Sequence, residues 1–161
     1  GTRLLLGHLP APPPSTKENP LIDLACGTGV IGAFLALRYQ DAQVYSCDQS
    51  ATAVASTHAT AEANAVSARI QIARDDALGT RPDSSADFVT LNPPFHSGAA
   101  LSDQIAPRLF AEAGRVLRPG GELWCVWNAH LGYRPALARA VGPTRQVARN
   151  EKFIVTVSTR R

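Results

Sequence analysis

The pattern of apolar and polar residues along the chain predicts strands that alternate with helices. Short apolar or alternating runs, bounded by glycine and polar turns, indicate strands at residues 21–25, 43–47, 69–73, 87–91 and 122–127. Helical spacing appears between them at residues 30–39, 51–64 and 102–117, with Ser50 placed to cap the second of these helices. The alternation predicts an α/β fold in which helices cover both faces of a mostly parallel sheet.

Both ends of the chain depart from this alternation. Residues 1–9 contain four leucines and predict a short helix, whereas five prolines in residues 10–20 predict a linker or surface loop. Near the other end, a short helix with Pro135 in its first turn precedes two strand-like runs, 146–148 and 153–157, which predict an antiparallel hairpin. We therefore expect a seven-stranded sheet, parallel except for this C-terminal hairpin, in a single domain spanning residues 1–161.

A glycine-rich turn joins the first predicted strand to its helix. Gly27, Gly29 and Gly32 form a GxGxxG pattern, in which missing side chains let a nucleotide cofactor approach the backbone and the N–H groups at the start of the helix. Asp48 follows the second strand, 21 positions after Gly27, where a carboxylate can accept hydrogen bonds from both ribose hydroxyls. Either a dinucleotide or S-adenosylmethionine fits this pattern.

Acidic residues near the turn favour S-adenosylmethionine. Asp23 lies four positions before Gly27, where a carboxylate suits the cationic sulfonium and ammonium groups of that cofactor but would repel a pyrophosphate. Asp75 and Asp76 end the third strand, where one of them could accept a hydrogen bond from the adenine amino group or both could belong to a solvated loop. We assign the adenine contact to Asp76.

An Asn-Pro-Pro-Phe-His sequence at residues 92–96 follows the fourth strand, at the same edge of the predicted sheet. The two prolines fix the backbone, so the Asn92 amide oxygen and the Pro93 carbonyl become rigid acceptors. Such acceptors suit an exocyclic amino group, whose nitrogen lone pair they would direct at a methyl carbon. Phe95 could stack on a planar substrate. We predict catalytic roles for Asn92, Pro93 and Phe95, and for His96 either an RNA phosphate contact or a loop cap.

These motifs resemble the class I S-adenosylmethionine-dependent methyltransferases that carry an Asn-Pro-Pro-Phe/Tyr motif. Among them the chain is most similar to the rRNA guanine-N2 methyltransferases of the small and large ribosomal subunits. The resemblance covers nearly the whole chain, through segments 1–6, 8–9, 23–29, 92–96, 120–123, 128–133 and 152–153. It implies a Rossmann-like methyltransferase fold.

The resemblance also implies roles for particular residues. The cofactor-binding set comprises Asp23, Ala25, Cys26, Gly27, Gly29, Asp48, Gln49, Asp76 and Asn92. The substrate-binding set comprises Pro94, His96, Asn128, His130 and Tyr133.

Family members of this kind carry two related halves, of which the C-terminal half binds the cofactor and catalyses. This chain matches only that half. It also contains no methionine and opens at Gly1 within a predicted helix. We therefore expect the chain to be a fragment of a longer protein.

Composition narrows the class of protein. With 45% apolar and 18% charged residues the chain is typical of globular proteins, and it contains no run of 18 apolar residues that would cross a membrane. Cys26, Cys47 and Cys125 form neither a metal-binding CxxC pattern nor a disulfide framework, and no histidine pair has metal-ligand spacing. We expect no membrane partner, no metal and a reducing, cytoplasmic location.

The net charge of +3 is unevenly distributed. Residues 1–107 hold six Lys and Arg against ten Asp and Glu, a charge of −4, whereas residues 108–161 hold ten against three, a charge of +7. An arginine-rich stretch suits a phosphate-bearing partner, although codon bias explains it equally well. The expected partner is ribosomal RNA or a ribosomal subunit, contacted through a set of arginines: Arg118, Arg134, Arg139, Arg145 and Arg149.

The most consistent function is methyl transfer from S-adenosylmethionine to an exocyclic amino group, with guanine N2 in rRNA as the first choice. Three alternatives stay open. They are an NAD-dependent oxidoreductase, a protein-glutamine or other N-methyltransferase, and a non-catalytic module that binds cofactor or RNA. The sequence leaves the oligomeric state and the target nucleotide open.

Overall fold

The predicted strands assemble into one seven-stranded sheet in a computed structural model, which describes residues 1–94 and 99–161 and only the backbone of residues 99–103. The strands are β1 (Leu21–Leu24), β2 (Val44–Asp48), β3 (Ile70–Arg74), β4 (Ala86–Leu91), β5 (Leu117–Asn128), β6 (Thr144–Arg149) and β7 (Phe153–Thr159). Their order across the sheet is β3-β2-β1-β4-β5-β7-β6. Strands β1 to β5 pair in parallel, and β7 is antiparallel to β5 and β6, which confirms the predicted fold class.

The helices are α1 (Thr2–Leu6), α2 (Val30–Arg38), α3 (Ala51–Ala63), α4 (Ala99–Val116) and α5 (Arg134–Ala140), with short 3-10 turns at Ser67–Arg69 and Ala129–Leu131. Ser50 caps α3 as predicted, because its Oγ accepts a hydrogen bond from the Ala53 N–H at 3.3 Å. Within the described ranges, no helix has both the length and the apolar composition needed to cross a membrane.

Strand β5 begins five residues earlier than predicted. The Pro-Gly-Gly segment at residues 119–121 lies within the strand, and its backbone stays hydrogen-bonded. The Gly120 N–H donates to the Arg160 carbonyl at 2.9 Å, and the Arg160 N–H donates to the Gly121 carbonyl at 2.8 Å. Gly120 adopts a φ of +85°, a conformation that glycine takes without strain, so the chain can bend here without leaving the sheet.

Alternate residues of β1 face the two hydrophobic layers of the protein. Ile22 packs in the layer that includes Phe110 of α4, and Leu21 packs in the layer that includes Leu35 of α2. Both layers are closed to solvent, so the sheet is fixed between its helices. The parallel strands consequently bring the ends of β1, β2, β3 and β4 to one edge, beside the start of α2.

Candidate functional site

A cavity of about 430 Å³ opens at the carboxyl edge of the parallel strands. Such edges are where ligands bind in open α/β sheets. The cavity brings together nine of the residues that the sequence assigned to cofactor or chemistry: Ala25, Cys26, Gly27, Asp48, Gln49, Asp76, Asn92, Pro93 and Pro94. Phe95 and His96 lie outside the described residues.

The three glycines of the turn serve different purposes. Gly27 lines the cavity with a φ of +56°, and a Cβ atom built on it would have no protein atom within 4 Å, so its open side faces space that a ligand can enter. A Cβ atom on Gly29 would lie 2.6 Å from Thr57 Cγ2 of α3, and one on Gly32 would collide with Ser46 Oγ. Gly29 is not among the lining residues, and its missing side chain makes room for α3.

Asp48 holds the glycine turn and keeps acceptor capacity. Its Oδ2 accepts a hydrogen bond from the Gly27 N–H at 3.1 Å, and its Oδ1 accepts one from the Ser50 N–H at 2.9 Å. A carboxylate oxygen can accept two hydrogen bonds, so each oxygen retains one lone pair for a ligand. The side chain is half-buried at the cavity wall, where a ribose diol could bind it.

Asp23 lies beneath the turn rather than in the cavity. The side chain is fully buried, and its Oδ2 accepts a hydrogen bond from the Gly32 N–H at 2.8 Å. Burial raises the pKa of this carboxyl from 3.8 to about 7, with Asp48 adding to the rise and the Gly32 hydrogen bond opposing it. Asp23 is not among the lining residues of the cavity; it faces α2 and accepts a hydrogen bond from an otherwise unpaired N–H of its first turn.

The two acidic residues after β3, Asp75 and Asp76, differ in their exposure and in their hydrogen-bond partners. Asp75 is buried and accepts hydrogen bonds from Tyr45 Oη at 2.8 Å and from Thr80 Oγ1 at 2.6 Å, which ties the loop to the sheet. Asp76 is exposed at the cavity, where its Oδ2 lies 2.6 Å from Arg108 Nη2. Both aspartates line the cavity, and Asp76 is the exposed member of the pair. Arg108 was missed by the sequence analysis, because only the packing of α4 brings it across from β3.

Asn92 is oriented by Thr2, which lies 90 positions earlier in the chain. Its Nδ2 donates to Thr2 Oγ1 at 3.0 Å, and its Oδ1 is buried with no hydrogen-bond partner among the described residues. Pro93 is buried and Pro94 half-buried, and both line the cavity beside Asn92. A buried acceptor without a partner is costly, so a ligand donor at this position would be stabilising. Thr2 was also missed, since no local pattern links it to Asn92.

The remaining predicted substrate residues lie elsewhere. Asn128 and His130 line a second depression of about 520 Å³, and neither is among the residues of the first cavity. Tyr133 is buried, with its ring centroid 5.3 Å from that of Phe110 and 5.7 Å from that of Trp127. Strand β5 continues three residues past the Leu91–Cys125 pair, so Asn128 lies beyond the end of β4 and outside the lining of the Asn92 cavity.

The cysteines offer no reactive thiol at the cavity. All three are buried and free, and burial raises their pKa values, that of Cys26 to about 12. Among the side chains that the structure describes, no group of three His, Cys, Asp or Glu residues could hold a metal ion. The chemistry that the cavity can support is accordingly binding, orientation and hydrogen bonding.

Comparison with known proteins gives matches along nearly the whole chain. A family model described as the methyltransferase small domain matches residues 1–157. Two relatives named ribosomal RNA large subunit methyltransferase G are 46% identical over 155 residues in Streptomyces coelicolor and 41% identical over 157 residues in Shewanella amazonensis. Each alignment covers 96% of this chain and 40% of the relative, so the chain spans about two fifths of the length of these curated relatives.

Solved structures share the same architecture. The T. thermophilus 16S rRNA N2 methyltransferase RsmC, solved in complex with AdoMet and guanosine, aligns with a TM-score of 0.75 and 29% identity over 88% of this chain and 37% of that chain. A geranyl diphosphate methyltransferase aligns with a TM-score of 0.71 over 99% of this chain and 77% of that chain, at 16% identity, and so shares the fold. With the family model covering residues 1–157, this chain belongs to the methyltransferase small domain family.

Proposed function

We propose that this chain transfers a methyl group from S-adenosylmethionine to the exocyclic N2 amino group of guanine in ribosomal RNA. The observation that carries the proposal is Asn92, which lines the cavity beside the glycine turn and whose buried Oδ1 lacks a partner among the described residues. Relatives named as rRNA methyltransferases and a neighbour solved with AdoMet and guanosine support the choice of cofactor and substrate.

The cavity residues fit the proposed cofactor. The open side of Gly27 admits close approach to the backbone, and the spare lone pairs of Asp48 suit the two ribose hydroxyls. Gln49 and Asp76 lie further along the same wall, where the Asp76 carboxylate can accept a hydrogen bond from the adenine amino group. When bound, S-adenosylmethionine supplies a methyl group activated by its sulfonium centre.

The chain itself orients the amine. Thr2 occupies the donor end of the Asn92 amide, so the acceptor end is left for a substrate N–H. Asn92 Oδ1 and the Pro93 carbonyl would together accept both hydrogens of the amino group and leave its lone pair directed at the methyl carbon, which lowers the entropic cost of in-line attack. The nitrogen becomes cationic on methylation and then loses its proton, so the transfer needs no general base.

The alternatives now differ in support. An NAD-dependent oxidoreductase has no support once the family is a methyltransferase family. A protein-glutamine methyltransferase would use the same two acceptors on a side-chain amide, and the basic stretch of residues 108–161 favours RNA over that substrate. A non-catalytic module that only binds cofactor or RNA would give the unpartnered Asn92 acceptor no role. The three buried, free cysteines support a reducing, cytoplasmic location for the proposed activity.

A methyl-transfer assay tests the proposal. The chain is incubated with tritiated S-adenosylmethionine and, in parallel, deproteinised rRNA, assembled ribosomal subunits or total protein, and labelled RNA is digested to nucleosides. We expect label in N2-methylguanosine. Label in glutamine would establish the protein alternative, and binding of S-adenosylmethionine without transfer to any of the three would establish the non-catalytic one.

A further inference from the structure

The depression that contains Asn128 and His130 is framed by the hairpin between β6 and β7. Its other lining residues are Ala129, Arg149, Glu151 and Lys152. Backbone hydrogen bonds fix this frame: the Ala129 N–H donates to the Lys152 carbonyl at 2.9 Å, which attaches the 3-10 turn carrying His130 to the hairpin.

Asn150 makes the tip of the hairpin rigid. Its Oδ1 accepts hydrogen bonds from the Lys152 N–H at 3.0 Å and the Phe153 N–H at 2.8 Å, and its own N–H donates to the Phe153 carbonyl at 2.9 Å. The side chains of Arg149 and Lys152 therefore extend from a backbone with fixed geometry. Less conformational entropy is lost when a ligand binds such a preorganised frame.

The cations of the depression are available to a ligand. Elsewhere in the basic stretch, Arg108, Arg115 and Arg118 are engaged in ion pairs with carboxylates. Neither Arg149 nor Lys152 has a carboxylate within ion-pair distance among the residues that the structure describes, and both are exposed. Two cations against one Glu151 carboxylate leave the depression positive, with donors on Asn128 and His130 beside them.

The depression adjoins the Asn92 cavity. Asn128 and Phe153 are directly paired across β5 and β7. A Cβ atom built on Gly1 would lie 3.4 Å from Phe153 Cε1 and 3.6 Å from Asn92 Oδ1, so Gly1 sits between the hairpin and the Asn92 acceptor. The hairpin and the Asn92 acceptor thus flank the same residue, Gly1.

We propose that this depression is a phosphate subsite, in which Arg149 and Lys152 hold a phosphodiester of the RNA strand next to the nucleotide presented to Asn92. The proposal rests on the proposed function. Arg149 offers a planar fork that matches two phosphate oxygens, and Lys152 adds a second charged donor. Glu151 weakens the subsite by repulsion. The contact is independent of base identity, so it positions the strand and leaves the choice of nucleotide to the cavity.

A double variant, Arg149→Ala with Lys152→Ala, removes both cations. The matched control is Lys17→Ala with Arg38→Ala, which also removes one lysine and one arginine, both exposed and neither lining the depression. For parent and both variants, S-adenosylmethionine affinity is measured by calorimetry. The affinity for a fluorescein-labelled single-stranded RNA 12-mer is measured from 50 to 300 mM salt, and methyl transfer to deproteinised rRNA gives kcat and KM.

We expect the subsite variant to raise the KM for rRNA by roughly five-fold to thirty-fold, since each exposed charged contact is worth up to about five-fold. Its salt dependence of log K should become shallower by about 0.7, the value for one phosphate contact on a single strand. Cofactor affinity and kcat at saturating RNA should stay within two-fold, and the control should match the parent. Glu151→Gln should tighten RNA binding.

The outcomes separate the two levels of the proposal. If the parent binds and methylates RNA but the subsite variant has the parent's KM and salt slope, the phosphate subsite is wrong and the proposed function stands. If the parent binds S-adenosylmethionine but neither binds nor methylates RNA, the proposed function fails and the subsite with it. An equal loss of RNA affinity in the control variant would show that the effect comes from net charge alone, and would overturn the subsite.

Discussion

Thr2 Oγ1 accepts a hydrogen bond from Asn92 Nδ2 at 3.0 Å, although the two residues are 90 positions apart in the chain. The bond uses the donor end of the Asn92 amide, and Oδ1 of this cavity-lining residue is left as a buried acceptor with no partner among the described residues. An amide side chain has two nearly isosteric orientations, and a partner such as Thr2 selects one of them. Helix α1, which begins at Thr2, thereby contributes a residue to the site.

Replacing Thr2 with Val should lower turnover by about ten-fold to a hundred-fold, because the amide of Asn92 is then free to rotate out of the productive geometry. Thr2→Ser, which keeps the hydroxyl, should restore most of the activity. The measurement is kcat for methyl transfer with calorimetry of S-adenosylmethionine binding, which should change by only a few-fold. Equal turnover in Thr2→Val and the parent would show that Thr2 does not position Asn92.

Removing the Asn92 amide itself should lower turnover more than removing the Thr2 hydroxyl. Asn92→Ala is expected to reduce kcat by roughly 100-fold to 1000-fold, the usual effect of deleting one preorganised polar partner of the reacting group. Combining it with Thr2→Val should add little, because Thr2 is proposed to act through Asn92. Single-turnover rates of the two single variants and the double variant measure this directly. Additive losses would mean that the two residues contribute separately.

Asp48 should control cofactor affinity and not the rate of transfer. Its carboxylate holds the Gly27 and Ser50 N–H groups and keeps lone pairs for a ribose. Asp48→Ala should weaken S-adenosylmethionine binding by roughly ten-fold or more, since two charged hydrogen bonds are lost. The cofactor affinity of Asp48→Asn, which retains one acceptor oxygen, should lie between those of Asp48→Ala and the parent. Calorimetry decides, and unchanged affinity in Asp48→Ala would remove this residue from the site.

Two glycines of the same turn should respond differently to alanine. Gly29→Ala forces a side chain against Thr57 at a φ of +76°, so we expect the free energy of unfolding to fall by about 2–4 kcal/mol. Gly27→Ala carries only the strain of its positive φ, about 1 kcal/mol, but fills the space that a ligand would enter. Denaturant unfolding and cofactor calorimetry should therefore rank the two variants in opposite orders.

The fold and the glycine turn could be predicted from sequence because each rests on local patterns. Strand and helix periods, the Ser50 cap and the turn between β1 and α2 are all determined within a few neighbouring residues. Contacts between distant parts of the chain could not be predicted in this way. The bond from Thr2 to Asn92 and the ion pair of Arg108 with Asp76 form only when α1 and α4 pack against the sheet.

Asp23 shows the same limit within one strand. Its position before the turn predicts a place beside the cofactor, but the pattern does not reveal that Asp23 faces α2, since neighbouring residues of β1 face opposite layers. Its Oδ1 and the nearby Ser46 Oγ have no hydrogen-bond partner within the described residues. Burial of this carboxyl has a consequence for stability, because it raises the pKa from 3.8 to about 7.

Asp23→Asn should therefore change how stability depends on pH. In the folded protein the Asp23 carboxyl stays protonated up to about pH 7, whereas in the unfolded chain it ionises near pH 3.8. Its contribution to stability is fully present below about pH 4 and is lost as the pH rises through 7, with a slope of at most about 1.4 kcal/mol per pH unit. An asparagine is neutral throughout, and its oxygen can still accept from the Gly32 N–H. Unfolding free energies measured in denaturant at pH 5, 6, 7 and 8 should thus show the stability of Asp23→Asn rising relative to that of the parent from pH 5 to pH 7.

Asp41→Asn, at an exposed position, controls for the loss of one negative charge. The same pH dependence in both variants would contradict a special role for the buried carboxyl.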